Sequence, residues 1–372
     1  MIDLDGAEEV FAASVDGTVG IEEEFAILDP QTLDLVPRFE ELRDAAEPEL
    51  QEHITGELIK SEIEIISGRG ENLADAIARQ SEARCRLFAH AARMDALLGA
   101  TGTHPWADYR EQENIDSEHY RRVVDGLGYA ARRNNTFSLH VHVGVEGIDR
   151  AVRTCDRLRP LLPLLLAAGA SSPFVDGRDT LLHSARTETF TRTFPRCGVP
   201  DAYGSWEVYR DYIDLLVRTG SIVEYTQVWW SVRPHFAFGT VEMRICDVQA
   251  TDGESDALAA LVVGCIEQAA RDVAEGVPAD HLPNRLVEEN LWRAVRYGMD
   301  ASFIDFATGE LVPAREALER AAAWAGVDPS FPERNGAQRQ RAMIAEGASL
   351  RDAYASIVDE TQRTYGRAAP TS

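Results

Sequence analysis

The sequence predicts an α+β fold: a largely antiparallel sheet with helices packed on its outer face. Three observations lead there. Strand-like and helix-like segments are intermixed around hairpin-like pairs, without the strict alternation of a parallel sheet. Five strand-like segments each carry one apolar and one ionisable face, the mark of a sheet covered on one side. The chain has 372 residues, 45% hydrophobic and 27% charged, which is globular composition and enough length for a sizeable core.

The elements follow in order. Residues 1–16 read as an acidic leader, and 17–372 as one domain whose helical C-terminal part covers about 254–367. Residues 18–28 and 57–67 read as strands. Residues 71–98 place Leu73, Ile77, Leu87, Phe88, Met94, Leu97 and Leu98 at mostly helical spacing without proline, so they read as one long amphipathic helix. A short strand at 99–103 stops at Pro105. Residues 136–145 form a strand and 149–169 an apolar helix ended by Ser171-Ser172-Pro173. The Gly-, Pro-, Thr- and Arg-rich stretch 174–204 reads as a long ordered loop, a kind of segment that usually serves function. A helix at 205–219 precedes strands at 225–233 and 238–247.

Composition excludes several classes of function. The net charge of −25 argues against a nucleic-acid or anionic-membrane coat, because phosphate contacts need clustered cations. Plain solubility explains the acidity first, and a salty cytoplasm second. Lys60 is the only lysine, and Leu58-Ile59-Lys60-Ser61 has no spaced glycines. A phosphate-cradling P-loop is therefore excluded. The five cysteines are odd in number and never in CxxC spacing, so a disulfide frame or zinc knuckle is not expected. The N-terminus lacks the basic and apolar regions of a signal peptide. The run Leu161–Ala170 is too short to span a bilayer. A cytoplasmic protein with small-molecule substrates is expected, and a homodimer stays open.

Residues two apart on a strand share a face. Glu22 and Glu24, Glu62 and Glu64, His140 and His142, Ser231 and Arg233, and Glu242 and Arg244 therefore each pair on one face of their strand. A solvated face would give a similar alternation, but such faces usually carry Thr, Lys and Ser. Two unit charges 4 Å apart repel by about 4 kcal/mol at an effective dielectric of 20, so converging carboxylates need Arg or a metal beside them. Oxygen donors with a little imidazole suit Mg²⁺ or Mn²⁺ better than zinc. The pattern points to metal-nucleotide chemistry on an open sheet. Glu23 breaks it by facing the apolar side. His104 stands between a site rim and a structural role. Arg178, Arg186, Arg192 and Arg196 crowd the long loop, and Trp229 is placed on the site side of its strand, with Trp230 in the core.

The segments TVGIEEEF, LHVHVG, ASSPF from Ala170 to Phe174, WWSVRP and GTVEMRICD, in this order, resemble the type 2 glutamate–cysteine ligases, and within them the bacterial carboxylate–amine ligases. The resemblance runs from about residue 18 to 270. It implies a glutamine-synthetase-like fold, a curved sheet forming a funnel for Mg-ATP and an amino acid. It implies Glu22, Glu24, Glu57, Glu64, His140 and Glu242 as metal ligands. Arg233, Arg244 and Glu242 become the catalytic candidates, with Arg233, Arg244 and His142 toward the nucleotide. Glu62 is singled out by the face argument but not by the resemblance. The implied reaction is ATP-driven amide formation through an acyl phosphate. Two alternatives stand beside it: a guanidino-kinase-like phosphotransferase on the same fold, and a non-catalytic Mg-nucleotide-binding protein.

Overall fold

The structure is a computed structural model and describes residues 4–279, 281–328 and 331–367. Seven strands form the main sheet: β1 (Val19–Leu28), β2 (Ile54–Thr55), β3 (Glu62–Ile66), β4 (Leu97–Gly99), β5 (Ser138–Gly144), β6 (Val232–His235) and β7 (Thr240–Asp247). Their order is β6-β7-β5-β1-β3-β2, with β4 pairing the end of β1, and every pairing is antiparallel. Pro234 is tolerated because β6 is an edge strand.

Helices cover the apolar face. They include α1 (Leu4–Ala12), α2 (Leu73–Arg93), α4 (Ile148–Leu158), α5 (Leu162–Gly169), α7 (Asp252–Ala274) and α8 (Leu350–Tyr365); α3 (Glu118–Leu127) and α6 (Ala185–Thr193) carry residues to the other face. The N-cap Asn72 accepts from the Asp75 amide, and α2 lays Ala76, Gln80, Ala83, Leu87, Phe88 and Ala91 inward against β1 and β3. Two apolar clusters result. One joins β5, β6 and β7 to α4, α5 and α7. The other joins the C-terminal half of β1, β3 and β4 to α2 and α8.

The structure departs from the sequence reading at seven places: the strand expected at 99–103 sits at Leu97–Gly99, the helix expected over 149–169 is split by a 3₁₀ turn at Arg159–Leu161, and five more follow. Leu4–Ala12, inside the expected leader, is a helix whose Ala7 and Phe11 are buried in the first cluster. The helix expected over 71–98 stops at Arg93, because Asp95 at φ +53° turns the chain and frees Leu97–Gly99 to pair with β1. The strand expected from 57 starts only at Glu62. The Gly56 carbonyl accepts from the Tyr120 hydroxyl and the Lys60 amide donates to Glu113, so 56–61 leaves the ladder. The expected loop 174–204 contains α6, capped by Ser184, whose side chain accepts from the Thr187 amide. The strand expected over 225–233 is broken, because the Arg233 guanidinium donates to the Thr226 and Val228 carbonyls at 3.1 and 2.7 Å and holds that stretch aside. Among the described residues no helix is long and apolar enough to cross a membrane.

Candidate active site

Register brings the ionisable faces together. Glu22 pairs opposite His140, Glu24 opposite Glu64, and Glu242 opposite both His142 and Arg233. Three groups of potential ligand atoms, each within 4.8 Å of one another, result: Glu22–His142–Glu242, Glu22–Glu64–His140 and Glu24–Glu57–Glu64. All six sequence-expected ligands belong to them. Glu57, expected on a strand, reaches its group from the segment ahead of β3.

The local charges divide this face. Burial pushes Glu22 up, but the His142 and His140 imidazoles override it and hold the carboxyl well below its usual range. Glu242 behaves likewise: Arg233 and Arg244 outweigh burial and keep it ionised. Arg233 Nε donates to Glu242 Oε2 at 2.5 Å, and Arg244 contacts the other oxygen. Toward β3 the balance reverses. Burial, then Glu24, lifts Glu57 to about 8, and burial with neighbouring carboxylates lifts Glu62 and Glu64 well above their usual range. Burial lowers His140, whereas Glu22 and Glu242 overcome burial and raise His142. Ser138 donates from both amide and hydroxyl to Glu24 Oε2, at 2.5 and 2.6 Å.

The remaining candidates sort by geometry. Glu23 lies on the apolar side, buried in an ion pair with Arg84, and accepts from Gln80, Ser255 and Tyr365. His104 is buried, with Nε2 at 2.8 Å from the Leu33 carbonyl and its ring edge-on to Trp106 and Tyr354, so it is structural. Of the loop arginines only Arg186 is buried; it donates to the Ile245 and Arg244 carbonyls and faces Asp247 at 3.5 Å. Trp230 stacks on Tyr203 and Tyr212 in the core, and Trp229 lines the site.

Sequence reasoning missed Asp247. A β-bulge between Met243 and Cys246 adds one residue to β7 and brings Asp247 opposite Ser138. Its carboxylate accepts from the Ser171 amide and the Ser172 and Ser184 hydroxyls, tying two loops beneath Arg186. Strict alternation assigns Asp247 to the other face, so only its place at the end of the GTVEMRICD segment marked it. His119 was missed too: α3 carries it over the site, where Nδ1 lies 2.7 Å from Glu224.

An antiparallel sheet with an acidic and imidazole face beside three arginines defines a class of fold shared with known ligases. The glutamate–cysteine ligase from Francisella tularensis in complex with AMP superposes with a TM-score of 0.71 at 12% identity, over 95% of this chain and 89% of that one. A bifunctional glutathione synthetase from Pasteurella multocida gives a TM-score of 0.67 at 12% identity; 97% of this chain covers 54% of that one, about half its length. The chain belongs to glutamate-cysteine ligase family 2, whose pattern matches residues 18–354. A Rubrobacter xylanophilus relative, provisionally named glutamate–cysteine ligase 2-2, is 38% identical over 366 residues, 95% of this chain and 94% of its own. A Natronomonas pharaonis glutamate–cysteine ligase is 33% identical over 343 residues, 91% of this chain and 94% of its own.

Proposed function

We propose that the protein is a cytoplasmic ATP-dependent carboxylate–amine ligase that forms an amide bond through an acyl phosphate, with glutamate and cysteine as the pair its family suggests. The observation that carries this reading is the convergence of Glu22, Glu24, Glu57, Glu64, Glu242, His140 and His142 beside Arg233 and Arg244. The donor set fits Mg²⁺ or Mn²⁺, being rich in carboxylate oxygen with one imidazole in two of its groups. The raised Glu57, Glu62 and Glu64 support the same reading, because the protein's own cations leave that part of the face undercompensated. The six ligand candidates would hold the metal, which would neutralise phosphate charge and polarise the transferred group.

The chain's own residues would do the rest. Arg244 is a fixed cation at the pocket wall for a phosphoryl or carboxylate oxygen. Glu242 orients Arg244 and Arg233 together, so their charge needs no reorganisation during reaction. His142, whose Nε2 lies 3.8 Å from Glu242, would face the nucleotide. Burial of this face would shield an acyl phosphate from water. Burial pushes the thiols of Cys197, Cys246 and Cys265 each up to about 12, so none of these three is poised as a thiolate nucleophile.

The test is ADP release from Mg-ATP across a panel of acids and amines. A ligase needs both partners, and ADP formed with one partner alone would indicate a phosphotransferase. With the active acid labelled with ¹⁸O in its carboxylate, label should pass to inorganic phosphate. Amide product with unlabelled phosphate would exclude the acyl phosphate, and pyrophosphate would indicate adenylation.

A further inference from the structure

A cavity of about 220 Å³ opens beside the ligand groups; it shares Glu24, Glu57, Arg233 and Arg244 with the metal and phosphate site, but its aromatic wall and Glu62 have no part in that chemistry. It is below the ~300–1,000 Å³ of drug-sized sites, which suits one small metabolite. Its lining has three chemistries. Glu57 and Glu62 supply carboxylates, Arg186 and Arg244 supply guanidinia, and Phe190, Phe194 and Trp229 supply aromatic surface. The rings form one continuous wall: Phe190 and Phe194 lie 4.5 Å apart between centroids, and Trp229 meets Phe194 edge-on at 5.5 Å.

The polar lining is unfinished. Glu62 Oε2, Arg186 Nε and Arg244 Nε are buried without a hydrogen-bond partner, although Glu62 is only 1% and Arg186 only 6% exposed. Buried polar atoms are nearly always paired, so orphans of both signs around one cavity call for a ligand carrying both signs. An α-amino acid does so: its ammonium matches Glu62, and its carboxylate matches the arginines. The aromatic wall then selects the side chain. The cysteine side chain is too small to cover three rings, and glutamate would bring a second carboxylate against them.

We propose that this cavity binds an α-amino acid with a large apolar side chain. That this amino acid is one of the two molecules joined rests on the ligase reading; that it binds does not.

Equilibrium binding separates the two. L-Phenylalanine, L-leucine, L-cysteine, L-glutamate and L-alanine would be titrated calorimetrically into the whole protein with Mg²⁺, with and without a non-hydrolysable ATP analogue. We expect phenylalanine or leucine to bind at least tenfold tighter than cysteine or alanine. Trp229→Ala and Phe194→Ala should weaken that binding about tenfold while changing cysteine less than about twofold. Trp229→Phe should retain most of it, which guards against misfolding as the cause. Glu62→Gln should weaken all five by removing the partner of the ammonium. Cysteine binding as tightly as phenylalanine, or no amino acid binding in either condition, would overturn the proposal. So would a Trp229→Ala variant that loses the ATP analogue and keeps phenylalanine, since the wall would then hold the base. If phenylalanine binds as expected but no acid–amine pair releases ADP, the ligase reading fails and the cavity assignment stands.

Discussion

At the scale of single residues, the two faces of the sheet carry opposite consequences for mutation. Glu242 sits between two guanidinia, so its change to Gln removes the only anion that both Arg233 and Arg244 contact among the described residues. Breaking a buried pair from one side leaves uncompensated charge and costs about 3–5 kcal/mol. Glu242→Gln should therefore lower the melting temperature as well as cut ADP release by at least about tenfold, on the order of 1.4 kcal/mol in the barrier. An acid-cluster argument alone would have expected the opposite sign for stability, through relief of repulsion; the two arginines reverse it. Glu23 offers the control. Its ion pair with Arg84 is as deeply buried but faces the helices. Glu23→Gln leaves Arg84 paired with Asp256 at 2.8 Å, so it should destabilise less in urea unfolding than Glu242→Gln, while turnover at a temperature where the protein stays folded remains within about twofold of wild type. A tenfold turnover loss at full folding would show that the apolar face communicates with the site.

At the scale of elements, alternation was legible wherever a strand is regular. β1, β3, β5 and the first half of β7 follow the two-residue period, so Glu22, Glu24, Glu64, His140, His142 and Glu242 were visible from spacing. What escaped depended on contacts distant in sequence. Glu57 leaves the ladder because α3 and its neighbour hold the segment, and Asp247 changes face because of a bulge. Glu62 was visible by face; its place in the cavity, outside the three ligand groups, needed coordinates. Helix ends were blurred for the same reason: a single left-handed residue, Asp95, separates α2 from β4. The bulge makes a separate prediction. A Cβ on Gly102 would lie 2.5 Å from Asp247 Cγ, and Asp247 holds Ser171, Ser172 and Ser184 ahead of α6. Gly102→Ala should overpack this junction and cost about 1–3 kcal/mol. Thermal unfolding of the variant checks this, and an unchanged midpoint would mean the loops are anchored elsewhere.

At the scale of the whole molecule, protons act on buried histidines as well as on the raised carboxylates, and cations on the carboxylates alone. Burial holds His104 and His183 at about 4, against ~6.5 in the unfolded chain. Between those values the unfolded state binds more protons, so stability is lost as pH falls from about 6.5 toward 4. The drop in urea midpoint from pH 7 to pH 5 should be smaller in His104→Gln than in wild type, and an equal drop would show that the histidine does not titrate on unfolding. The acidic face answers to metal as well. With a net charge of −25, any salt relieves general repulsion by screening, so a rise in melting temperature with Mg²⁺ is not in itself a site effect. A bound ion differs in acting at low concentration and growing with its logarithm: at 100 times its Kd it adds about 2.7 kcal/mol, and for a chain of this length that is several degrees. Millimolar MgCl₂ without nucleotide should therefore raise the melting temperature beyond NaCl of equal ionic strength, and the excess should grow linearly with the logarithm of the Mg²⁺ concentration. Glu64 belongs to two of the three ligand groups, so Glu64→Gln should abolish most of the excess while keeping the NaCl response. A Mg²⁺ curve that tracks NaCl in both proteins would reduce the acidic face to solvated charge and remove the basis for a metal-nucleotide site.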